Sequence, residues 1–78
     1  MLDAEPWEDK ALAHRQIAEA LEFPDWYGGN LDALFDCLSH QQGRAIRILN
    51  LDPGPYRERL LVVFQDAVAE GWITLRLG

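Results

Sequence analysis

The second half of the chain alternates between strand and helix patterns, and this order restricts the possible fold more than any other feature. Ala45–Leu51 is rich in branched apolar residues that alternate imperfectly with polar ones, which predicts a strand. Asp52–Pro55 has turn chemistry, and its last residue suits the first position of a helix that continues to about Glu70. Gly71 suits the C-cap of that helix, and Trp72–Leu77 predicts a last strand. Strands joined by a helix predict a parallel sheet in an α/β layer fold.

Helical patterns also occupy the first half of the chain. Asp9 or a neighbouring residue can cap a helix that runs to about Glu22, and Pro24 stops it. The side chains expected to face inward are Leu12, Ile17 and Leu21 from this helix, and Leu60, Leu61, Phe64, Ala67 and Val68 from the last one. There are no repeats, low-complexity tracts or flexible linkers, so residues 1–78 are predicted to form a single domain.

A loop rich in aromatic residues and glycine, Phe23–Gly29, leads into a helix predicted over about Leu31–Ser39. Asn30 can accept the free backbone N–H of the third helical residue, which makes it a good N-cap. Asp32 then lies at the positive end of the helix dipole, and Asp36 lies one turn further along the same face. The opposite face carries an apolar stripe predicted to enter the core: Leu31, Leu34, Phe35 and Leu38. Two exposed carboxylates on a rigid helix beside an aromatic loop suit a positively charged partner.

Charge restricts the class of partner. Of 78 residues, 7 are basic and 13 are acidic, which gives a formal charge of −6 at pH 7. Lys and Arg supply much of a protein's affinity for nucleic acid, so direct nucleic-acid binding is not predicted. A basic protein is the natural complement, because long-range attraction would speed the encounter. The alternative is that the charge only keeps a small protein soluble.

The lone cysteine and the absence of long apolar segments restrict location. One cysteine cannot form an internal disulfide, and the sequence has neither a basic-then-apolar leader nor an apolar run of the ~20 residues that a membrane span needs. These features predict a cytoplasmic protein that does not associate with membranes. Export by a route that needs no leader is left open.

The block Pro24–Leu38 resembles the barstar family, small intracellular inhibitors of secreted, guanyl-preferring ribonucleases of the barnase type. The order of proline, two aromatics, glycine, any residue and Asn-Leu-Asp-Ala-Leu carries the resemblance. Phe64–Gly71 fits the family's last helix and its terminating glycine, and His14, Ile17 and Leu21 fit its first helix. The resemblance covers most of the chain, with a shortened middle. It implies a small barstar-like layer fold in which a short parallel sheet packs against three to four helices.

The resemblance further implies a protein inhibitor with no catalysis and no cofactor, directed at a basic extracellular-type ribonuclease. Such an inhibitor offers carboxylates where the phosphate oxygens of RNA would lie. Asp36 aligns with the family's central carboxylate, Asp32 with its neighbour, and Trp26 with an interface aromatic that is expected to be more exposed than Tyr27. Asp66 takes a distal acidic position and is one methylene shorter than the usual Glu. The partner-binding residues implied are Trp26, Gly28, Asn30, Leu31, Asp32, Asp36, Ser39 and Asp66.

Several features depart from the family pattern. Only Met1–Ala4 remains for the first strand, so that strand is predicted to be truncated, and its unpaired backbone invites self-association. A homodimer, or a start codon assigned too late, would each resolve this. The connection between the middle strand and the last helix is short, so the family's small third helix is expected to be absent or merged. The family's aromatic just after the helix predicted over about Leu31–Ser39 is absent, with Gln41 or Gln42 in its neighbourhood. Gly29 replaces an acidic or polar residue.

Other classes of function require different chemistry. Asp32, Asp36 and His40 share a helical stripe, but three ligands spread over about 12 Å of one helix do not converge on one metal ion, and an adjacent pair would bind weakly. Cys37 lacks the electropositive surroundings of a reactive thiol, which predicts a small buried apolar residue. The remaining alternative is a protein-binding module of the same fold, or an immunity factor, directed at a different basic partner or toxin nuclease.

Overall fold

The computed structural model describes residues 1–78 and shows three helices and a three-stranded parallel sheet. The elements in chain order are β1 (Leu2–Asp3), α1 (Lys10–Leu21), α2 (Leu31–Leu38), β2 (Arg44–Leu49), α3 (Pro55–Ala69) and β3 (Ile73–Leu77). The strands lie side by side in the order β1-β2-β3. The predicted α/β layer fold with a short parallel sheet is therefore confirmed, with three helices and none between β2 and α3.

Burial shows which face of the sheet the helices cover. β2 and β3 pair in parallel, with Ile48 opposite Leu77. Side chains alternate between the two faces of a strand. Ile46 and Ile48 are buried in the core, whereas Arg47 between them is exposed. The helices therefore pack on one face of the sheet and leave the other open to solvent.

The first strand is only two residues long, as predicted. Leu2 pairs with Ile48 and is buried. The Asp3 carboxylate accepts the backbone N–H of Glu5 at 3.0 Å and the side-chain amide of Asn50 at 3.1 Å. These two hydrogen bonds hold the pKa of Asp3 below its usual range. A buried leucine and a bonded carboxylate thus anchor this short strand to the end of β2.

The ends of α1 follow from its sequence. The Asp9 carboxylate accepts the N–H of Leu12 at 3.2 Å, which confirms the predicted cap. The helix ends at Leu21, and the next residue, the C-cap Glu22, has a left-handed φ of 58°. The expectation that Leu12 faces inward is wrong, because its side chain is 42% exposed. It lies on the opposite side of the helix from the buried stripe, which comprises Ala13, His14, Ile17 and Leu21.

A residue from before α1 caps the start of α3. Pro55 occupies the first position, and the glycine before it offers no side-chain acceptor. The Glu8 carboxylate instead accepts the N–H of Arg57 at 2.9 Å and that of Tyr56 at 3.5 Å. The Arg57 side chain returns to the same segment, where its Nε donates to the carbonyl of Ala4 at 2.9 Å. The start of α3 is therefore tied to the chain between β1 and α1.

The core contains a tryptophan whose burial no sequence pattern predicts. Trp7 is fully buried and stacks on Phe64, with ring centroids 5.9 Å apart, and its indole N–H donates to Gln16 at 2.8 Å. On α3 the expectation of burial is wrong for Leu61, which is half-buried, and for Val68, which is 39% exposed. Both flank the stripe that enters the core, which comprises Tyr56, Leu60, Phe64 and Ala67.

The end of α3 follows the predicted glycine signal. The helix stops at Ala69, and Gly71 adopts a left-handed φ of +81° while its N–H donates to the carbonyl of Val68 at 2.9 Å. β2 starts one residue before and ends two residues before its predicted bounds, and β3 starts one residue late. No helix here combines the length and the apolar character that crossing a membrane requires.

Candidate partner-binding surface

Helix α2 is fixed at its start and along its buried face. Asn30 Oδ1 accepts the N–H of Ala33, the third helical residue, at 2.8 Å, which confirms the predicted N-cap. Phe35 is half-buried rather than fully buried, because it packs at the rim of the core against Trp72, with ring centroids 4.8 Å apart. The side chains of α2 that are fully buried are Leu34, Cys37 and Leu38.

The other face of α2 presents two carboxylates to solvent. Asp32 and Asp36 are both exposed and lie one turn apart, about 6 Å along the helix axis. Asp32 is in the first turn, where the helix dipole favours a negative charge. The side-chain hydrogen bonds here run from Ala33 to the Asn30 cap and from the Ser39 hydroxyl to the Asp36 carbonyl at 2.5 Å. Neither bond uses a carboxylate of α2, so both acids remain free to accept hydrogen bonds from a partner.

The environments of the two acids differ. Asp32 lines a shallow concavity of about 460 Å³ together with Lys10 and Arg59. Two cations of the protein itself therefore lie around the start of α2. Asp36 is one turn further along and outside that concavity.

The loop before α2 separates its two aromatics. Trp26 is 68% exposed, whereas Tyr27 is half-buried, which confirms the expected order. The Tyr27 ring packs on Phe23 with centroids 4.9 Å apart, and the backbone N–H of Tyr27 donates to the carbonyl of Pro24 at 3.0 Å. Trp26 lines a cavity of about 420 Å³ that also contacts the last turn of α2 at Cys37. The exposed indole therefore lies beside the acidic helix.

Two exposed glycines join this loop to the helix. Gly29 has a left-handed φ of +68°, a conformation that L side chains rarely adopt. Gly28 lies against the cap, because a Cβ there would approach the Asn30 amide nitrogen to 3.3 Å. The missing acidic or polar residue at Gly29 thus coincides with a backbone geometry that suits glycine.

The remaining predicted residues differ in how freely they face solvent. Leu31 is half-buried and packs on the core, and Ser39 is half-buried with its hydroxyl bonded to the helix end. Asp66 is exposed in the last turn of α3, the helix that packs beside α2. The structure brings Trp26 to Ser39 together on one loop and one helix, and Asp66 comes from a second helix.

A buried histidine joins this loop to two helices. His14 in α1 is only 3% exposed, and its ring nitrogens lie 2.5 Å from the hydroxyls of Tyr27 and Tyr56. Burial lowers the pKa of His14 and raises the pKa of both tyrosines, so all three groups are neutral near pH 7. In the sequence, His14 stands out only through the family resemblance, and Tyr56 carries no signal of a functional role. The spacing gives no signal for this contact, because the two residues are 42 positions apart.

Cys37 is buried as predicted, and burial, followed by the charge of Asp36, raises the pKa of its thiol. A raised pKa disfavours the nucleophilic thiolate. No group of three or more His, Cys, Asp or Glu side chains gathers where it could hold a metal ion.

Fold and surface together define a class of small α/β proteins that display an acidic helix beside an aromatic loop. The barstar family model, described as barnase inhibitor, matches residues 1–74, and the chain belongs to this family. The chain is also 32% identical over 77 residues to a Bacillus subtilis (strain 168) protein named Putative ribonuclease inhibitor YrdF, covering 90% of this chain and 85% of that protein. The resemblance found in the sequence is therefore confirmed, and membership supports ribonuclease inhibition as the general activity.

Proposed function

We propose that this protein is a stoichiometric inhibitor of a barnase-type, guanyl-preferring ribonuclease, and that it blocks the active site of the nuclease with α2 and the adjoining loop. It has no catalytic activity of its own in this proposal. Family membership supports the inhibitory role, and the exposed acidic face of α2 supports the mode of binding. The residues proposed to bind the nuclease are Trp26, Gly28, Asn30, Leu31, Asp32, Asp36, Ser39 and Asp66.

The observation that carries the proposal is the pair of free carboxylates on one face of α2. A ribonuclease must present cationic side chains to the scissile phosphate of RNA. Asp32 and Asp36 can accept charge-assisted hydrogen bonds from those cations in place of the phosphate oxygens, and an arginine can bond a carboxylate with two parallel N–H groups. Because the Asn30 cap and the buried face fix the helix, the acids are already placed when the partner arrives. Prior placement lowers the entropy cost of binding.

The other residues complete the surface in different ways. Trp26 offers an exposed aromatic anchor of the type that dominates binding energies at interfaces. Gly28 allows a partner to approach the loop backbone closely, and Asn30 caps the helix with Oδ1 while its side-chain amide group is proposed to meet the partner. Leu31 and Ser39 border the acids, and Asp66 extends the acidic surface onto α3.

Charge and compartment fit the same role. The net charge of −6 attracts a basic nuclease over a distance and speeds association. We place the inhibition in the cytoplasm, where a nuclease of this kind would otherwise degrade the RNA of its own cell. The single buried cysteine is compatible with that reducing compartment.

An RNA-cleavage assay with a barnase-type ribonuclease, titrated with the wild-type protein, tests the proposal. We expect activity to fall linearly to zero at a one-to-one ratio. Asp36→Ala should weaken binding by about 2–5 kcal/mol, a range that draws on the barnase–barstar complex and so belongs to this family. Glu19→Ala, which removes an exposed acid from α1, is the matched control and should inhibit like the wild type. Equal, small effects of both substitutions would contradict the assignment of α2.

Absence of inhibition by the folded wild-type protein would redirect the proposal. The acidic face would then serve a different basic protein or a different toxin nuclease, as an immunity factor of the same fold. Gln41, near the position of the missing family aromatic, lies within 3.4 Å of the Arg44 side chain. That local difference supports a partner whose surface differs from that of barnase.

A further inference from the structure

We infer that Tyr56 is a positioning residue for the recognition loop, residues 23–29, and that it acts through His14. This inference rests on the proposed partner-binding role of the loop. Tyr56 is the second residue of α3, its hydroxyl is buried against His14, and the loop lies on the other side of that ring. The three side chains form one continuous chain of hydrogen bonds.

The chain of bonds uses both ring nitrogens of His14. His14 Nε2 lies 2.5 Å from the Tyr56 hydroxyl, and Nδ1 lies 2.5 Å from the Tyr27 hydroxyl. A neutral imidazole has one N–H donor and one bare nitrogen, so one tyrosine donates to the ring and the other accepts from it. Both ring nitrogens are therefore satisfied only when both hydroxyls are in place. Loss of either hydroxyl leaves a buried nitrogen of His14 without a partner, which is costly.

The Tyr56 end of the chain is the fixed end. The backbone N–H of Tyr56 lies 3.5 Å from the Glu8 carboxylate that caps α3, and Tyr56 directly follows Pro55 at the helix start. The ammonium group of Lys10 lies 5.1 Å from the centre of the Tyr56 ring, within the range of a cation–π contact. The ring itself enters the core. Tyr56 thus gives His14 a rigid partner.

The recognition loop is the end that needs support. Five of its seven residues are exposed, so packing contributes little to its order. Tyr27 attaches the loop by its hydroxyl, its ring contact with Phe23 and its N–H bond to Pro24. Trp26 is the adjacent residue, so the placement of Tyr27 restricts where the backbone that carries the exposed indole lies. A loop ordered before binding lowers the entropy cost of forming the complex.

Substitution of Tyr56 by phenylalanine isolates this effect. Tyr56→Phe keeps the ring in the core and removes a hydroxyl that is buried, so the surface presented to a partner is unchanged. Ile73→Val is the matched control, because it destabilises the core from β3 without touching His14. Amide hydrogen exchange of the free protein at Tyr27 and through residues 24–30 reports the order of the loop. The same proteins are then titrated against a barnase-type ribonuclease.

We expect Tyr56→Phe to accelerate exchange of the Tyr27 amide about fivefold, the effect of losing roughly one hydrogen bond. Amide exchange within β2 should be accelerated no more in Tyr56→Phe than in Ile73→Val. Binding to the nuclease should weaken by a similar factor in Tyr56→Phe and not in Ile73→Val. If Tyr56→Phe leaves both loop exchange and binding at wild-type values, the positioning role is wrong. If the wild type fails to inhibit while Tyr56→Phe still loosens the loop, the positioning role stands and the proposed function fails.

Discussion

The Glu8 carboxylate accepts the backbone N–H of Arg57 at 2.9 Å, across 49 positions of the chain. Arg57 in turn donates from its side chain to the carbonyls of Ala4 and Glu5. The segment between β1 and α1 and the start of α3 therefore hold each other. This matters for function because Tyr56, whose own N–H the Glu8 carboxylate accepts at 3.5 Å, supports the recognition loop through His14.

Glu8→Ala is expected to lower the free energy of unfolding by about 1 kcal/mol, since side-chain acceptors at helix starts contribute roughly this much. Urea denaturation followed by tryptophan fluorescence measures the change. Glu5→Ala is the control: its side chain is exposed, and only its backbone carbonyl meets Arg57. That variant should stay within about 0.5 kcal/mol of the wild type. Similar losses in both variants would argue against the cap.

Trp26→Ala is expected to separate binding from stability. With 68% of the residue exposed, its removal should change the free energy of unfolding by less than about 0.5 kcal/mol. Binding to a barnase-type ribonuclease should weaken by about 2 kcal/mol, as for an aromatic hot spot. Calorimetric titration gives the binding change. Trp72→Ala, which removes a half-buried ring packed on Phe35, should lose stability and keep its affinity for the nuclease. If Trp26→Ala also loses stability and keeps affinity, the proposed role of Trp26 is wrong.

Local sequence signals predicted the elements of this fold well. The caps at Asp9 and Asn30, the turn before Pro55 and the glycine after α3 each act within a few residues, so the sequence displays both partners of each interaction. The exposed acids of α2 followed in the same way, because periodicity separates the two faces of a short helix. The inward orientation predicted for Leu12 was wrong because single apolar residues on exposed helix faces are common and have no sequence signal that separates them from core residues.

Contacts between distant parts of the chain could not be predicted. Trp7 lies in a segment with no periodic pattern, yet it fills the core against Phe64. The contact between His14 and Tyr56 has no sequence signature, because it depends on how α1 and α3 pack. The acidic surface was therefore visible in the sequence, whereas the bonds that support its loop required the structure.

Stability is expected to depend on pH through His14. Burial lowers its pKa below the ordinary 6.5 in the folded state, so the unfolded chain takes up a proton first as the pH falls. The stability that this pKa difference of His14 contributes is fully present above about pH 6.5, and it is lost as the pH falls toward the folded-state pKa. Denaturation between pH 7.5 and 5.5 should show falling stability in the wild type and a flatter profile in His14→Gln. His40→Gln, which removes an exposed imidazole, is the control and should keep the wild-type profile. If the stability of His14→Gln falls with pH as steeply as that of the wild type, His14 is not the origin of the pH dependence.

The two acids of α2 are expected to differ in what they do for the folded protein alone. Asp32 lies in the first turn, where its charge favours the helix dipole, so Asp32→Asn should lower the free energy of unfolding by about 0.3–1 kcal/mol. Asp36 lies in the second turn, so Asp36→Asn should leave stability unchanged or slightly improved. Binding should show the opposite order, because Asp36 is proposed to make the central contact with the nuclease, whereas Asp32 shares its concavity with Lys10 and Arg59, which would repel the cations of the partner. Denaturation and calorimetric titration of both variants measure the two effects. If Asp36→Asn loses stability but keeps affinity, its carboxylate is structural and the proposed contact with the nuclease is wrong.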